Sequence, residues 1–219
     1  MIIRGQEMFS YSDLIEKFVK EGVLKTPLII EAFKKINRAD FLPPVLKNEA
    51  GADSALPLGF LQTISQPQVV AFMLELLAPK PGDKILDIGA GSGWTSALLA
   101  WCVSQDDKKT GKVYAVERIP ELCEFGKRNV SKYNFIEKGR VEFFCQDGSG
   151  GLPGEAPFDK ILVSAAAEEI PEALKEQLKI NGRLVLPVKN DIVLLIRKSE
   201  REFEKKEFFG FVFVPLINS

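Results

Sequence analysis

Three acidic residues, Asp87, Glu117 and Asp147, stand where strand ends could bring them together. Each lies at the end of a short apolar segment, which is typical of a buried strand. In an open sheet of parallel strands, ligands bind at the edge where successive strands end. We therefore expect these three carboxylates to border one site and to bind the same ligand.

The segment KILDIGAGSGW, residues 84–94, joins the first of these strands to a helix through a glycine-rich turn. Such a unit opens a doubly wound nucleotide-binding sheet, and its glycines let the backbone approach a ligand closely. Their spacing is G-x-G-x-G rather than the dinucleotide pattern G-x-G-x-x-G. This spacing favours a cofactor with a nucleoside and no pyrophosphate, such as S-adenosylmethionine.

Glu117 has two interpretations. It lies a little over twenty residues past the glycines, where a nucleotide-binding sheet places its ribose-binding carboxylate. Alternatively, it is an ordinary exposed glutamate that caps the helix beginning at Pro120. The position favours ribose binding.

The composition bounds the class of protein. The 219 residues suffice for one globular domain, and 29 basic and 30 acidic residues nearly balance, which argues against a nucleic-acid binder. No apolar run approaches membrane-spanning length, and the N-terminus lacks a signal-peptide pattern. We therefore expect a cytoplasmic protein without a membrane segment.

Histidine is absent, which excludes Ser-His and Cys-His catalysis and histidine-based metal sites. The three cysteines, Cys102, Cys123 and Cys145, follow no metal or disulfide spacing. Each lies in or beside an apolar run, so we expect buried free thiols and no metal.

The N-terminal part predicts a helical layer over the sheet. In residues 1–44, one amphipathic helix should end at Gly22, and a second should begin at Thr26 and Pro27. Residues 47–66 are predicted as a loop, followed by a helix over 69–77. At its start, Ser65 could cap that helix or contact a ligand, and the two roles are compatible.

The rest of the chain predicts a doubly wound, mostly parallel α/β sheet of seven strands, Rossmann-like, closed by an antiparallel hairpin. We treat 1–219 as a single methyltransferase domain, with 1–76 as the helical and loop cap and 77–219 as the cofactor-binding sheet. The order of the last two strands is open. Helices are expected at 120–134 and 171–180, a charged surface loop at 104–109, and strands at 85–88, 112–117, 141–146, 158–164, 183–188, 192–196 and 208–216.

Two features that the sequence lacks, an amino-methyltransferase motif and histidine, restrict the chemical class of the methyl acceptor. Residues 164–167 read SAAA, where many DNA and RNA amino-methyltransferases carry D/N-P-P-Y/F. The lack of histidine fits an acceptor that is already ionised at neutral pH, such as a carboxylate with a pKa near about 4. Catalysis would then consist of positioning the acceptor and excluding water.

The chain resembles the protein-L-isoaspartate (D-aspartate) O-methyltransferases. Members move a methyl group from S-adenosylmethionine to the α-carboxyl of isoaspartyl residues, and also of D-aspartyl residues, in damaged proteins; S-adenosyl-L-homocysteine is the product. The ester then collapses to a succinimide, which hydrolyses partly to normal aspartate. The resemblance is carried by NRADFLPP, QTISQP, ILDIGAGSGW, VYAVERIPEL, QDGSGGLPGEAPFDKILVSAA, QLKINGRLVLPV and VFVPL.

On the substrate side, the resemblance implies that Ser65 is the active-site residue and hydrogen-bonds the substrate carboxylate. Thr63, Ile64 and Gln66 would line the same pocket, and backbone near Val214 would pair with an extended substrate. The implied partners are damaged proteins and peptides with isoaspartyl residues, not nucleic acid or membrane. We expect a monomer.

On the cofactor side, the resemblance implies that Gly89 and Gly91 lie behind S-adenosylmethionine. Glu117 would bind its ribose hydroxyls, and Asp147 and Gly148 would face the adenine. With the strand-end residue Asp87, these complete the expected cofactor site.

Leu61 and Gln68 depart from the usual pattern of the family beside the substrate segment. Two alternatives remain: a methyltransferase on the same scaffold that acts on a small carboxylate, and an inactive homologue that only binds the cofactor. Retention of Ser65 within an intact QTISQP segment counts against the second.

Overall fold

The computed structural model describes residues 10–106 and 110–216, so the predicted loop at 104–109 lies partly outside the described residues. The helices are α1 Tyr11–Lys20, α2 Pro27–Lys35, α3 Pro67–Leu77, α4 Trp94–Val103, α5 Pro120–Ser131 and α6 Glu172–Glu176. None of these described helices has the length and apolar character needed to cross a membrane. The strands are β1 Leu56–Gly59, β2 Gln62–Ile64, β3 Lys84–Ile88, β4 Lys112–Glu117, β5 Val141–Cys145, β6 Phe158–Val163, β7 Leu178–Val188, β8 Asp191–Arg197 and β9 Phe203–Phe209.

Seven of these strands form one sheet in the order β5-β4-β3-β6-β7-β8-β9, which confirms the predicted fold class. The five strands from β5 to β7 run parallel, and β8 and β9 are antiparallel. Along β3, Ile85 faces one buried core while Leu86 and Ile88 face the other. Because β4 and β6 flank β3 on opposite sides, its carboxyl end is the switch point where such sheets bind ligands.

The C-terminal part of the sheet differs from the prediction in its boundaries. The helix predicted over 171–180 is shorter than expected and spans only Glu172–Glu176 (α6). It ends there because Leu178 already pairs with Phe158 as part of β7. The predicted last strand at 208–216 is wrong in position: β9 ends at Phe209, and residues 210–216 leave the sheet. The order of the last two strands follows the chain, with β8 between β7 and β9.

The helical layer is confirmed for residues 10–44, and residues 1–9 lie outside the described part. Ser10 and Asp13 form a capping box at the start of α1, and Gly22, with φ +71°, follows its end. The layer packs on Trp94, the first residue of α4, through edge-to-face contacts of Tyr11 and Phe33. The N-terminal helices are thereby fixed to the helix that follows the glycine turn.

The predicted loop at 47–66 is wrong as a description of that segment. A 3₁₀ helix spans Pro44–Glu49, and β1 and β2 form a separate antiparallel hairpin. Strands of four and three residues are too short to show a clear alternation of apolar and polar side chains. The sequence pattern therefore could not reveal the hairpin.

The prediction of three free thiols is wrong for two of them. Cys123 and Cys145 form a disulfide with a Cα–Cα distance of 5.7 Å, whereas Cys102 is free and buried. Burial raises the pKa of the Cys102 thiol to about 12. The two bonded residues are 22 positions apart and meet only because α5 packs beside β5, which no local spacing could indicate.

Gly93 should be the least replaceable glycine of the turn for stability. Its φ is +84°, and a Cβ there would lie 2.8 Å from Val130 Cγ2 and 2.9 Å from the Gly126 carbonyl oxygen. We expect Gly93→Ala to lower the free energy of unfolding by about 3 kcal/mol, since backbone strain and overpacking add. Urea denaturation measures the loss.

Gly139→Ala is the matched control, because Gly139 has φ +65° and a Cβ added there would meet nothing within 4 Å. Backbone strain alone should cost about 1 kcal/mol there. Equal losses in the two variants would contradict the close packing of α5 against the turn.

Candidate active site

The glycine turn after β3 is fixed by backbone bonds to the neighbouring strand. The N–H groups of Gly89 and Ala90 donate to the Val116 carbonyl at 2.9 and 3.1 Å. Gly89 and Gly91 have φ +77° and +53°, while a Cβ on either would make only ordinary contacts. The left-handed backbone, rather than lack of space, therefore requires these two glycines.

Glu117 ties the turn to the start of α5. Its Oε2 accepts the Gly91 N–H at 2.9 Å, and its Oε1 accepts the Ile119 N–H at 2.9 Å. The residue is only 6% exposed, so it is not the exposed glutamate of the alternative interpretation. It borders the pocket described below.

Asp87 lies behind the turn and does not line the pocket. It is fully buried, and its Oδ2 accepts hydrogen bonds from Thr95 Oγ1 at 3.0 Å and Ser96 Oγ at 2.6 Å. Its Oδ1 has no partner among the described residues. Burial, with a smaller contribution from the nearby Glu117 charge, raises the pKa of Asp87 to about 6.

The loop after β5 brings Asp147 and Gly148 to the same pocket. A Cβ on Gly148 would lie 2.8 Å from Ile88 Cγ2, so this glycine is required by close packing on the end of β3. Gln177 fixes the next residues, because its Oε1 accepts the Leu152 N–H at 2.7 Å and its Nε2 donates to the Gly150 carbonyl at 2.8 Å.

Ser65 lies between β2 and α3 and lines the pocket. The N-cap of α3 is Gln66, without a side-chain capping bond, so the capping role considered for Ser65 is not observed. Thr63 and Ile64 line the pocket beside Ser65, whereas Gln66 does not. Among the described residues the Ser65 hydroxyl has no hydrogen-bond partner, so it can accept or donate toward the pocket.

The carbonyl of Ser65 is held by Arg38, a fully buried guanidinium. Its Nη atoms donate to the carbonyls of Ala50, Ala52, Ser54 and Ser65, at 3.3, 2.8, 2.8 and 3.2 Å. The guanidinium also stacks over the Trp94 ring at 5.4 Å. Burial lowers its pKa to about 10, so it remains positively charged at neutral pH.

These segments enclose a pocket of about 870 Å³, including its solvent-open mouth. It brings together nine of the predicted site residues: Thr63, Ile64, Ser65, Gly89, Gly91, Glu117, Asp147, Gly148 and, from the C-terminal segment, Val214. Arg118 supplies the positive charge among the described lining residues, against the carboxylates of Glu117 and Asp147. An acidic nucleoside site of this kind suits a cationic ligand better than a phosphate.

Several pocket residues escaped the sequence prediction. The lining also includes Gln62, Ser92, Trp94, Thr95, Arg118, Leu122, Ser164 and Leu216. Arg38, Asn129 and Gln177 act from behind the lining, and Asn129 Nδ2 donates to the Ser92 carbonyl at 3.0 Å. For Arg38 the sequence offered one signal, a lone arginine next to apolar residues in NRADFLPP. No local pattern indicated a role for Asn129 or Gln177.

The family comparison covers almost the whole chain. Residues 9–219 match the family described as protein-L-isoaspartate(D-aspartate) O-methyltransferase (PCMT). Two relatives, both protein-L-isoaspartate O-methyltransferases, come from Methanopyrus kandleri and Staphylothermus marinus. The first is 41% identical over 208 residues, 93% of this chain and 89% of its own. The second is 41% identical over 209 residues, 93% of this chain and 92% of its own.

A solved structure shows the same fold. It is a Plasmodium falciparum protein assigned to protein-L-isoaspartate O-methyltransferase and crystallised with S-adenosyl-L-homocysteine. It superimposes with a TM-score of 0.85 at 22% identity, over 95% of this chain and 99% of the other. The family match over residues 9–219 and the two relatives show that the chain belongs to the protein-L-isoaspartate(D-aspartate) O-methyltransferase family.

Proposed function

We propose that this chain repairs damaged proteins by methylating the α-carboxylate of L-isoaspartyl, and also D-aspartyl, residues. The observation that carries this is the family match over residues 9–219 together with a pocket that joins Ser65 to the glycine turn. The methyl ester formed there would collapse to a succinimide and hydrolyse partly to normal aspartate. Damaged proteins and peptides are thus its substrates.

The residues of the pocket fit S-adenosylmethionine, which supplies the methyl group when bound and leaves as S-adenosyl-L-homocysteine. Gly89 and Gly91 present backbone without side chains, and Glu117 offers a buried carboxylate suited to ribose hydroxyls. Asp147 and Gly148 form the wall assigned to the adenine. Asp87, with its unpartnered Oδ1, adds negative charge behind a ligand that is positively charged.

Ser65 would hydrogen-bond the substrate carboxylate and hold one oxygen toward the methyl group. That carboxylate is ionised at neutral pH, so no side chain has to remove a proton. Thr63 and Ile64 would position the residue, and the backbone near Val214 would pair with the substrate chain. The apolar Ile64 and Trp94 help exclude water from the pocket.

We also propose a single-domain, monomeric, cytoplasmic enzyme that does not bind nucleic acid. The near balance of 29 basic and 30 acidic residues supports the last point. Disulfides are rare in a reducing compartment except in hyperthermophiles. The Cys123–Cys145 disulfide therefore fits a cytoplasmic location only in such an organism.

A labelled-methyl assay tests the function. An isoaspartyl peptide should accept methyl from S-adenosylmethionine, while its twin with normal aspartate should not. Equal labelling of both peptides, or labelling of neither, would overturn the repair function. Labelling of neither is the result that both alternatives predict, a small-carboxylate methyltransferase and an inactive cofactor-binding homologue.

Ser65→Ala should lower kcat/KM for the isoaspartyl peptide about 10- to 100-fold, the loss of one hydrogen bond to a charged group. Affinity for S-adenosyl-L-homocysteine, measured by calorimetry, should not change. Since Ser65 does not cap α3, the melting temperature should also be retained.

Glu117→Ala is the reciprocal control, because it should weaken S-adenosyl-L-homocysteine binding directly. A variant of Ser65 that loses cofactor affinity as much as the Glu117 variant would remove Ser65 from the substrate role.

Asp87 predicts a pH dependence of the cofactor-free protein. Its pKa is about 6 in the folded state against an ordinary value of 3.8, so the folded state holds a proton that the unfolded chain has released. The free energy of unfolding of the parent should therefore fall as the pH rises from the ordinary pKa of 3.8 through the folded-state pKa of about 6. Asp87→Asn should gain stability relative to the parent between about pH 4 and about pH 7.

Urea denaturation at several pH values measures this difference. Glu16→Gln, a change of an exposed glutamate on α1, is the control that should show no such trend. A constant difference between the Asp87 variant and the parent would contradict an unpartnered, buried carboxylate.

A further inference from the structure

The turn between β1 and β2 is built from residues that disfavour its backbone. Phe60 and Leu61 have φ +52° and +57°, the left-handed region at both central positions. Two-residue hairpin turns of this kind strongly favour Asn-Gly or similar pairs, because a Cβ is crowded there. A Phe-Leu pair therefore opposes the local structure that it adopts.

Packing does not compensate for this conformation. Leu61 is 96% exposed and Phe60 is 55% exposed, so neither side chain gains the burial that stabilises an apolar residue. Strain that the fold does not repay, at residues beside a functional segment, points to a role in function.

The turn leads directly into the substrate side of the pocket. Gln62 and Thr63, the next two residues, line it, and Leu58 of β1 lies against the glycine turn, 3.8 Å from a Cβ placed on Gly91. Phe60 and Leu61 thus stand at the start of the segment that ends in Ser65.

A third exposed apolar residue precedes the C-terminal lining of the pocket. Val212 is 91% exposed and lies two positions before Val214, which lines the pocket. Among the described hydrogen bonds, the N–H and C=O groups of Val212 and Phe213 have no partner. An extended chain could pair with these free groups, and its side chains would then alternate in direction.

We propose that Phe60 and Leu61, together with Val212, form an apolar surface that binds the substrate residues flanking the isoaspartyl position. This rests on the proposed function and adds a preference: damaged sites set between large apolar residues bind more tightly than those set between small polar ones. Such segments are buried in intact proteins, so the surface would select damage in chains that have partly unfolded.

The test replaces the strained pair with the favoured one, Phe60→Asn with Leu61→Gly. The parent should show a KM about tenfold lower for an isoaspartyl peptide flanked by Phe and Leu than for one flanked by Ser and Gly. In the double variant this preference should disappear, with kcat unchanged and a melting temperature equal to or above that of the parent. Val212→Ser should weaken the preference as well.

Ile180→Ser is the matched control. Ile180 is 52% exposed, close to the exposure of Phe60. It lies near the start of β7, whereas the site lies at the opposite, carboxyl ends of the parallel strands. The Ile180→Ser variant should show the same preference between the two peptides as the parent.

Each outcome is decisive. Methylation of both peptides with the preference unchanged in the double variant would overturn the proposal and leave the repair function standing. A parent that dimerises through this turn, shown by sedimentation and lost in the variant with preference unchanged, would overturn it in favour of a contact between copies. Methylation of neither peptide would overturn the repair function and this proposal together.

Discussion

One buried positive charge holds the segment that ends in Ser65 against the rest of the pocket. The Arg38 guanidinium donates to four backbone carbonyls between Ala50 and Ser65 and stacks on Trp94. Moving an ion from water into the interior is unfavourable unless its donors are satisfied. Here the carbonyls of residues 50–65 satisfy the Nη donors, while Nε is buried without a partner among the described residues. The same bonds give that segment one conformation.

This arrangement links the two halves of the active site. Trp94 begins α4 directly after the glycine turn, and it also receives the N-terminal helices through Tyr11 and Phe33. Removing the Arg38 side chain would leave these carbonyls without partners and a cavity beside Trp94. Both the Ser65 segment and the start of α4 would therefore be destabilised. The Ser65 segment and the glycine turn thus share one structural support, although they lie on different parts of the chain.

Buried carboxylates stabilise the glycine turn and the helices that begin beside it. Glu117 uses both oxygens to hold the turn and the start of α5, while Asp87 is left with one oxygen unpartnered. Burial disfavours the charged form of Asp87, as its raised pKa indicates, and the charge of Glu117 adds a smaller effect in the same direction.

Local patterns were enough to predict the sheet, the glycine turn and the acids at the strand ends, because each depends on buried apolar runs, glycine spacing or position along a strand. Ser65 and the family also followed from contiguous motifs. The order of the last two strands, the Cys123–Cys145 pair, the hairpin within 47–66 and the role of Arg38 emerged only from the folded chain. Each of these depends on contacts between residues far apart in the chain, and no local pattern records which distant partner a side chain meets.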